Sequence, residues 1–428
     1  MKMAVIGAGS SYTPELIDGL FSRLDSIPVS EVWMMDPDGA RLAVTAGLAE
    51  RMSRRHGGPF RVHATQDHRD AVRDASYVVT QLRVGGIEAR IADEKLGMRH
   101  GLIGQETTGV GGFACALRTI PAVLEIARAM EDLAPRAVLV NFTNPSGIVT
   151  EALIKHGSVT SIGLCNIPIG YIMDFVKHFQ CGIDEVALDC VGLNHLSWIR
   201  GVAVRGKDAT CEAFDAFLAK IEEEWTDPAI RDAMRGVIAR MRVIPNGYLQ
   251  YFYATDASLE RLRARDKTRG EEIIPIEQAL FAKYRDEQLD EKPEELSQRG
   301  GAHYSTAAFH LIDAIENDRG NRQIVCCRNN GAVPTFDDNV VVEVPAIIDK
   351  NGAAAIPQEA PAPEIRGLMQ LVKAYETLTV QAAVTGCRDA AFEAMVLHPL
   401  MPGASGCERL LTELLDINKR YVNPAFFA

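Results

Sequence analysis

The stretch 3–36, MAVIGAGSSYTPELIDGLFSRLDSIPVSEVWMMD, decides the fold class. Met3–Ile6 reads as a short apolar strand and Gly7–Gly9 as a turn. Pro14–Arg23 has helical periodicity, and Glu31–Met35 is a second strand ending in Asp36. Strand, glycine turn, helix and strand, in that order, open a dinucleotide-binding unit. Gly7 and Gly9 permit a tight turn and let a pyrophosphate approach backbone N–H groups at a helix N-terminus. Tyr12 stands where the usual fingerprint has its third glycine. A carboxylate at Asp36 suits the hydroxyls of an adenosine ribose and repels a 2′-phosphate, so NAD+ is expected rather than NADP+. The expected cofactor contacts are Gly7, Gly9, Ser10, Ser11 and Asp36. A tight turn with a helix-capping aspartate produces the same local pattern.

Outward from this unit, strand-like runs recur at Tyr77–Leu82, Ala137–Phe142 and Ser161–Leu164, with helical stretches at Thr119–Leu133 and Gly147–Lys155. The alternation predicts an α/β chain with an N-terminal Rossmann-like, doubly wound parallel sheet. After Cys165 the rhythm changes. Ala187–Leu193 and Trp198–Val204 read as paired strands, Glu212–Met241 as helical, and Ile324–Cys327 and Val340–Val344 as further sheet. Gly352–Glu364 has the composition of a surface loop. The expected division is a dinucleotide-binding domain over 1–165 and a mixed α+β domain over 166–428.

The 57 acidic and 45 basic residues leave a net charge of −12, which argues against a nucleic-acid or membrane-surface protein, since both need a basic face. An anionic small molecule is still admissible, because a local pocket of arginines can form on an acidic protein. MKMAVIGAGSSY runs directly into a glycine turn, unlike a secretory leader. No apolar stretch is expected to reach the ~18–20 residues of a membrane span. The nine cysteines are scattered, without a disulfide framework, so a reducing cytoplasm is the expected setting.

Two polar segments follow strands: Arg83–Gly86 (RVGG) and Asn141–Ser146 (NFTNPS). Asn144 and Ser146 offer polar groups where a nicotinamide and a sugar can meet, although Asn-Pro-Ser is also ordinary turn chemistry. GLCNIP at 163–168 and GLNHLS at 192–197 each place a soft donor, Cys165 or His195, past a strand. Their separation fits no zinc-finger spacing, and a lone cysteine is more often a small buried hydrophobe.

Together with GLIGQETTGVGGF at 101–113, NGYLQYFY at 246–253, RGGAHYST at 299–306 and RNNG at 328–331, these runs resemble glycoside hydrolase family 4 nearly end to end. Within it, they resemble the 6-phospho-β-glucosidases. The resemblance implies hydrolysis by an unusual route, since most glycosidases rely on two carboxylates. NAD+ takes hydride from the sugar's C3, a base removes the acidified C2 proton, and the aglycone leaves C1. Water then adds and the hydride returns. The implied metal is Mn2+, acting on the C2 and C3 oxygens with Cys165 and His195 as ligands. Tyr248 resembles the C2 base, with Tyr251 the other candidate. Arg83 and Asn144 resemble substrate contacts, and Arg269 a ligand of the 6-phosphate. A solvated charged face explains the neighbouring Arg261, Arg263, Arg265 and Lys267 equally well. The second domain would then bind substrate and metal, and family members are usually dimers or tetramers.

Asn166 follows the cysteine where members acting on α-glycosides tend to carry aspartate, so the chain resembles the β branch. An amide donates no proton to a leaving group, which leaves water or a carboxyl such as Glu106. The rival readings are a 2-hydroxy-acid dehydrogenase of the lactate or malate type and a non-catalytic NAD-binding sensor. The first leaves Cys165 and His195 unexplained; the second leaves Tyr248 unexplained as well.

Overall fold

The computed structural model describes all 428 residues. Its first six strands are β1 (Lys2–Ile6), β2 (Glu31–Met35), β3 (Arg61–Thr65), β4 (Tyr77–Thr80), β5 (Val138–Asn141) and β6 (Ser161–Gly163). They lie side by side in the order β3-β2-β1-β4-β5-β6, all parallel. This is the doubly wound arrangement read from the alternation, and its strand order reverses beside β1, where a ligand crevice opens. The register Ile6 to Met35 and Ile6 to Thr80 brings the ends of β1, β2 and β4 level, so Gly7, Asp36 and Gln81 leave the sheet at one edge.

The second half does not build a separate sheet. Beyond β6 follow β7 (Val186–Leu193), β8 (Leu196–Val204), β9 (Lys207–Asp208), β10 (Ile244–Pro245), β11 (Asn321–Arg328), β12 (Val341–Asp349) and β13 (Gly352–Ala355). Strand β11 joins β6 antiparallel, and the order continues β12-β7-β8-β10. A single apolar core of 96 buried residues reaches from Met3 to Phe426, so residues before and after 165 share it. A second cluster of 12 packs the helix Asn166–Phe179 and β7–β8 against the helices Thr210–Glu224 and Pro228–Met241.

The structure corrects several expectations. Strand β3 escapes the hydrophobic pattern because it is an edge strand whose Arg61 and Ala64 face solvent. The expected loop 352–364 begins with β13, which pairs with β12 through Ala346–Ala355 and Asp349–Gly352. Hairpin pairing overrides its loop-like composition. The helix expected from Thr119 starts at Gly109. Gly111 and Gly112 tolerate no side chain there, since a Cβ on Gly111 would lie 2.0 Å from the Gln105 carbonyl oxygen. This Gly109–Leu133 helix is also the one apolar stretch that does reach membrane-spanning length, with mean hydropathy 1.5 over its best window. That window is 83% buried inside the protein, which makes it a core helix.

Candidate active site

A cleft of about 1950 Å³ opens where the parallel strands end, and one wall is the Gly7–Gly9 turn. Gly7 has φ +87°, and a Cβ on it would lie 2.8 Å from the Leu82 backbone. The Gly9 N–H donates to Asp36 Oδ2 at 2.9 Å, and the Asp38 N–H to Oδ1 at 2.9 Å. Burial raises Asp36 above the usual carboxylate range against the pull of these two donors. Each oxygen keeps a lone pair for a ribose hydroxyl. Tyr12, at the third-glycine position, donates its hydroxyl to the Gly301 carbonyl and closes the turn against the 299–304 segment. A dinucleotide therefore fits a cradle of bare backbone with one carboxylate at its end. Ser10 lines this cleft, but Ser11 does not: it is fully buried, and its hydroxyl is engaged with Glu277 at 2.8 Å and Arg299 at 3.2 Å. Ser146 is likewise buried, bonded to the Asn141 carbonyl at 3.3 Å, whereas Asn144 lines the cleft.

Cys165 and His195 face the same cleft from two elements. Cys165 caps the helix Asn166–Phe179, where its sulfur accepts from the Ile167 N–H at 3.5 Å. Burial pushes this thiol up to about 12, assisted by the charge of Glu343; the helix N–H groups and the Asn194 side chain pull the other way. A bound cation would outweigh burial and draw out the thiolate. His195 sits in the left-handed region (φ +62°) on the Asn194–His195 turn between β7 and β8. Its tautomer follows from its neighbours. Thr107 Oγ1 donates to Gln105 Oε1 at 3.0 Å, so it accepts from His195 Nδ1–H at 3.1 Å, leaving Nε2 with a free lone pair. Burial lowers the imidazole to about 4, which keeps it neutral. No set of three or more His, Cys, Asp or Glu side chains forms a closed metal cage. One thiol and one imidazole nitrogen suit an open site with positions left for substrate oxygens.

Tyr248 stacks flat on His195, with ring centroids 4.0 Å apart and planes 6° apart. It is held in a 3-10 turn, Gly247–Leu249, capped by Asn246, whose Oδ1 accepts the Tyr248 N–H at 3.1 Å. Burial, then the charge of Glu106, raises its hydroxyl well above the usual tyrosine range. Tyr251 lines the cleft 6.1 Å away, beside Arg261 and Arg265, while Tyr253 accepts from Trp198 and serves packing.

Arg83 and Arg90 both grip Glu106, the latter at 3.1 Å, and Arg90 also holds Glu94 at 2.8 Å. Glu94 accepts the Gly270 N–H at 2.9 Å, which ties this ion cluster to the helix Arg269–Tyr284. Arg269 therefore starts that helix at the cleft rim, 43% exposed and paired with Glu272 at 3.3 Å. Burial alone would raise Glu106, but the two guanidiniums bring it down to about 2. Held by two guanidiniums, it is ionised near neutrality, which argues against it as the leaving-group acid. Asn166 lines the cleft at the first turn after Cys165. Sequence reading missed Arg90, Arg299 and Tyr304, all cleft-lining. Arg90 was legible as an arginine seven residues beyond Arg83 on the following helix.

The family model of family 4 glycosyl hydrolases matches residues 2–181, and the model of their C-terminal domain matches 190–401. The chain belongs to glycosyl hydrolase family 4. This family 4 enzyme is a glycosidase. It is 40% identical to a probable 6-phospho-beta-glucosidase of Bacillus subtilis, covering 100% of this chain and 98% of the relative. The solved structure of the 6-phospho-beta glucosidase from Thermotoga maritima, with manganese, NAD+ and glucose-6-phosphate, is 36% identical with a TM-score of 0.91, covering 99% of each chain. A 6-phospho-alpha-glucosidase of Leptotrichia buccalis is 29% identical, covering 98% of each.

Proposed function

We propose that this family 4 enzyme hydrolyses 6-phosphorylated β-glucosides, with NAD+ and Mn2+ as its cofactors. One observation carries the reading: the dinucleotide turn, the free His195 Nε2, Cys165 and the stacked Tyr248 all open into one cleft. When bound, NAD+ supplies reversible hydride acceptance at C3, and Mn2+ supplies Lewis-acid charge beside the C2 and C3 oxygens.

The chain's own groups do the rest. Tyr248 takes the C2 proton as general base: it lies against His195, and a cation held there would offset the burial that raises its hydroxyl and so stabilise the phenolate. Arg83 and Asn144 orient the sugar hydroxyls, and Arg269 receives the 6-phosphate at the rim. Asn166 hydrogen-bonds without supplying a proton, so water protonates the leaving group. That residue and the higher identity to the β-specific relatives support the β branch.

Purified protein with NAD+ and Mn2+ is expected to cleave p-nitrophenyl-β-glucoside-6-phosphate and to spare its α-anomer and the unphosphorylated sugar. In D2O the released sugar phosphate carries deuterium at C2. Unlabelled product removes the elimination route; equal rates on both anomers remove the branch assignment; NADH accumulating with product favours a dehydrogenase. Tyr248→Phe is expected to cut kcat by about 10²–10⁴ with NAD+ affinity nearly unchanged. A variant that turns over at the wild-type rate removes Tyr248 from the base role.

A further inference from the structure

One carboxylate behind the cleft has no cation against it. Glu343 is 1% exposed near the start of β12, in a row of paired residues that crosses five strands: Gly163, Cys326, Glu343, Gly192 and Ser197. Paired residues share a face of a sheet, so Glu343 projects to the side of Gly192 and Ser197. Gly192 has no side chain, and Glu343 Oε1 passes it to accept from Ser197 Oγ at 2.8 Å. Its Oε2 accepts from Asn194 Nδ2 at 3.1 Å and from Cys326 Sγ at 3.6 Å.

These partners lead to both halves of the proposed chemistry. Asn194 precedes His195 in the tight turn, and its Oδ1 accepts the Gly147 N–H at 3.3 Å. Ser197 accepts from Asn246 Nδ2 at 3.4 Å, and its carbonyl takes the Asn246 N–H at 2.8 Å. Asn246 in turn caps the turn carrying Tyr248. Cys165 itself lies two residues past Gly163, the end of the same row.

We infer that Glu343 is a positioning residue: its two oxygens hold the Asn194–His195 turn and, through Ser197 and Asn246, the Tyr248 turn in one fixed arrangement. This rests on the reading of Cys165 and His195 as metal ligands and Tyr248 as base. A buried carboxylate fits the place because it accepts from three donors at once, which an amide cannot do. Outer partners of metal ligands typically carry 10–100-fold of metal affinity or activity.

The test uses full-length, NAD-loaded protein and Mn2+, with free ion counted by its EPR signal. Glu343→Gln, close in shape, is expected to raise the Mn2+ Kd by about 10–100-fold and to change the d–d spectrum of the Co2+-substituted protein, with NAD+ affinity unchanged. Ser197→Ala cuts only the arm toward Tyr248, so kcat is expected to fall about tenfold at an unchanged Mn2+ Kd. Asn194→Ala cuts the other arm and raises the Kd. If Glu343→Gln does not fold, the two single-arm variants decide. Wild-type Kd and kcat in Glu343→Gln, or in both single-arm variants, overturn the inference. A wild-type protein that binds no Mn2+ overturns the metal reading and this one with it.

Discussion

Glu106 shows how a single residue can be eliminated from one role and placed in another. Its carboxylate meets Arg83 and Arg90, and burial loses to those two charges. The ionised group fixes the guanidinium of Arg83 toward the cleft, so it orients the arginine proposed as a substrate contact and does not exchange protons. Glu106→Gln is therefore expected to raise KM more than it lowers kcat. Stability falls by on the order of 2 kcal/mol, less than the ~3–5 kcal/mol of a fully enclosed pair because Arg83 stays part-exposed. The pH sign follows from a carboxyl depressed from 4.5 to about 2. Its contribution is complete above the ordinary value and is lost as pH falls through the depressed one. The gap in unfolding free energy between wild type and variant, measured by urea titration, should stay constant from pH 5 to 7 and shrink from about 4.5 toward 2. A gap that widens on acidification contradicts the ion-cluster account. His195 adds a different lesson at this scale: its free Nε2 depends on Thr107 and Gln105, which lie far away in sequence.

The β7–β8 hairpin is the element on which the metal reading depends, and its glycines are not equivalent. A Cβ on Gly192 would lie 2.3 Å from Ser197 Cα and 2.4 Å from the Leu196 oxygen, both backbone of the facing strand. At Gly201, in the same hairpin, the nearest atoms are side-chain atoms of Thr210 at 3.5 Å and Asp189 at 3.6 Å. Gly192→Ala is expected to cost about 3 kcal/mol or more and to weaken Mn2+ binding, whereas Gly201→Ala stays within about 0.5 kcal/mol. Calorimetry of the pair checks this, and equal melting points would show that the strands separate without cost. GLNHLS was legible as a strand-end motif, but the crowding at Gly192 was not, because it arises from a partner strand five residues on. The same reason hid β3 and β13. Their pairing with β2 and β12 makes them strands, and neither has the alternation that makes β7 and β8 readable. The first βαβ unit was legible almost to the residue, because turn chemistry and apolar runs there agree.

At the scale of the whole molecule, one sheet carries the dinucleotide turn on its parallel half and the hairpin of His195 on its antiparallel half, and the two sides meet across the cleft. Change of strand direction near residue 165 was visible as a change of rhythm, but the continuity of the sheet was not, because β11 returns to β6 from some 160 residues downstream. Charge is divided just as unevenly. The chain carries −12 overall, yet Arg261, Arg263, Arg265, Lys267 and Arg269 line one side of the cleft. Among them Arg263, Arg265 and Lys267 are exposed, and none of the ion pairs in the structure involves them. On an acidic surface such a rim is a local attractor for a dianionic sugar phosphate, drawing it in over a Debye length of about 8–10 Å at physiological salt. The rate of capture, read as kcat/KM, should therefore fall as NaCl rises from 50 to 500 mM, while kcat changes little. Replacing Arg263, Arg265 and Lys267 together by glutamine is expected to lower kcat/KM several-fold at low salt and to flatten the salt dependence, with the Mn2+ Kd unchanged. A triple variant with the wild-type slope would assign these residues to a solvated face and leave phosphate capture to Arg269 alone.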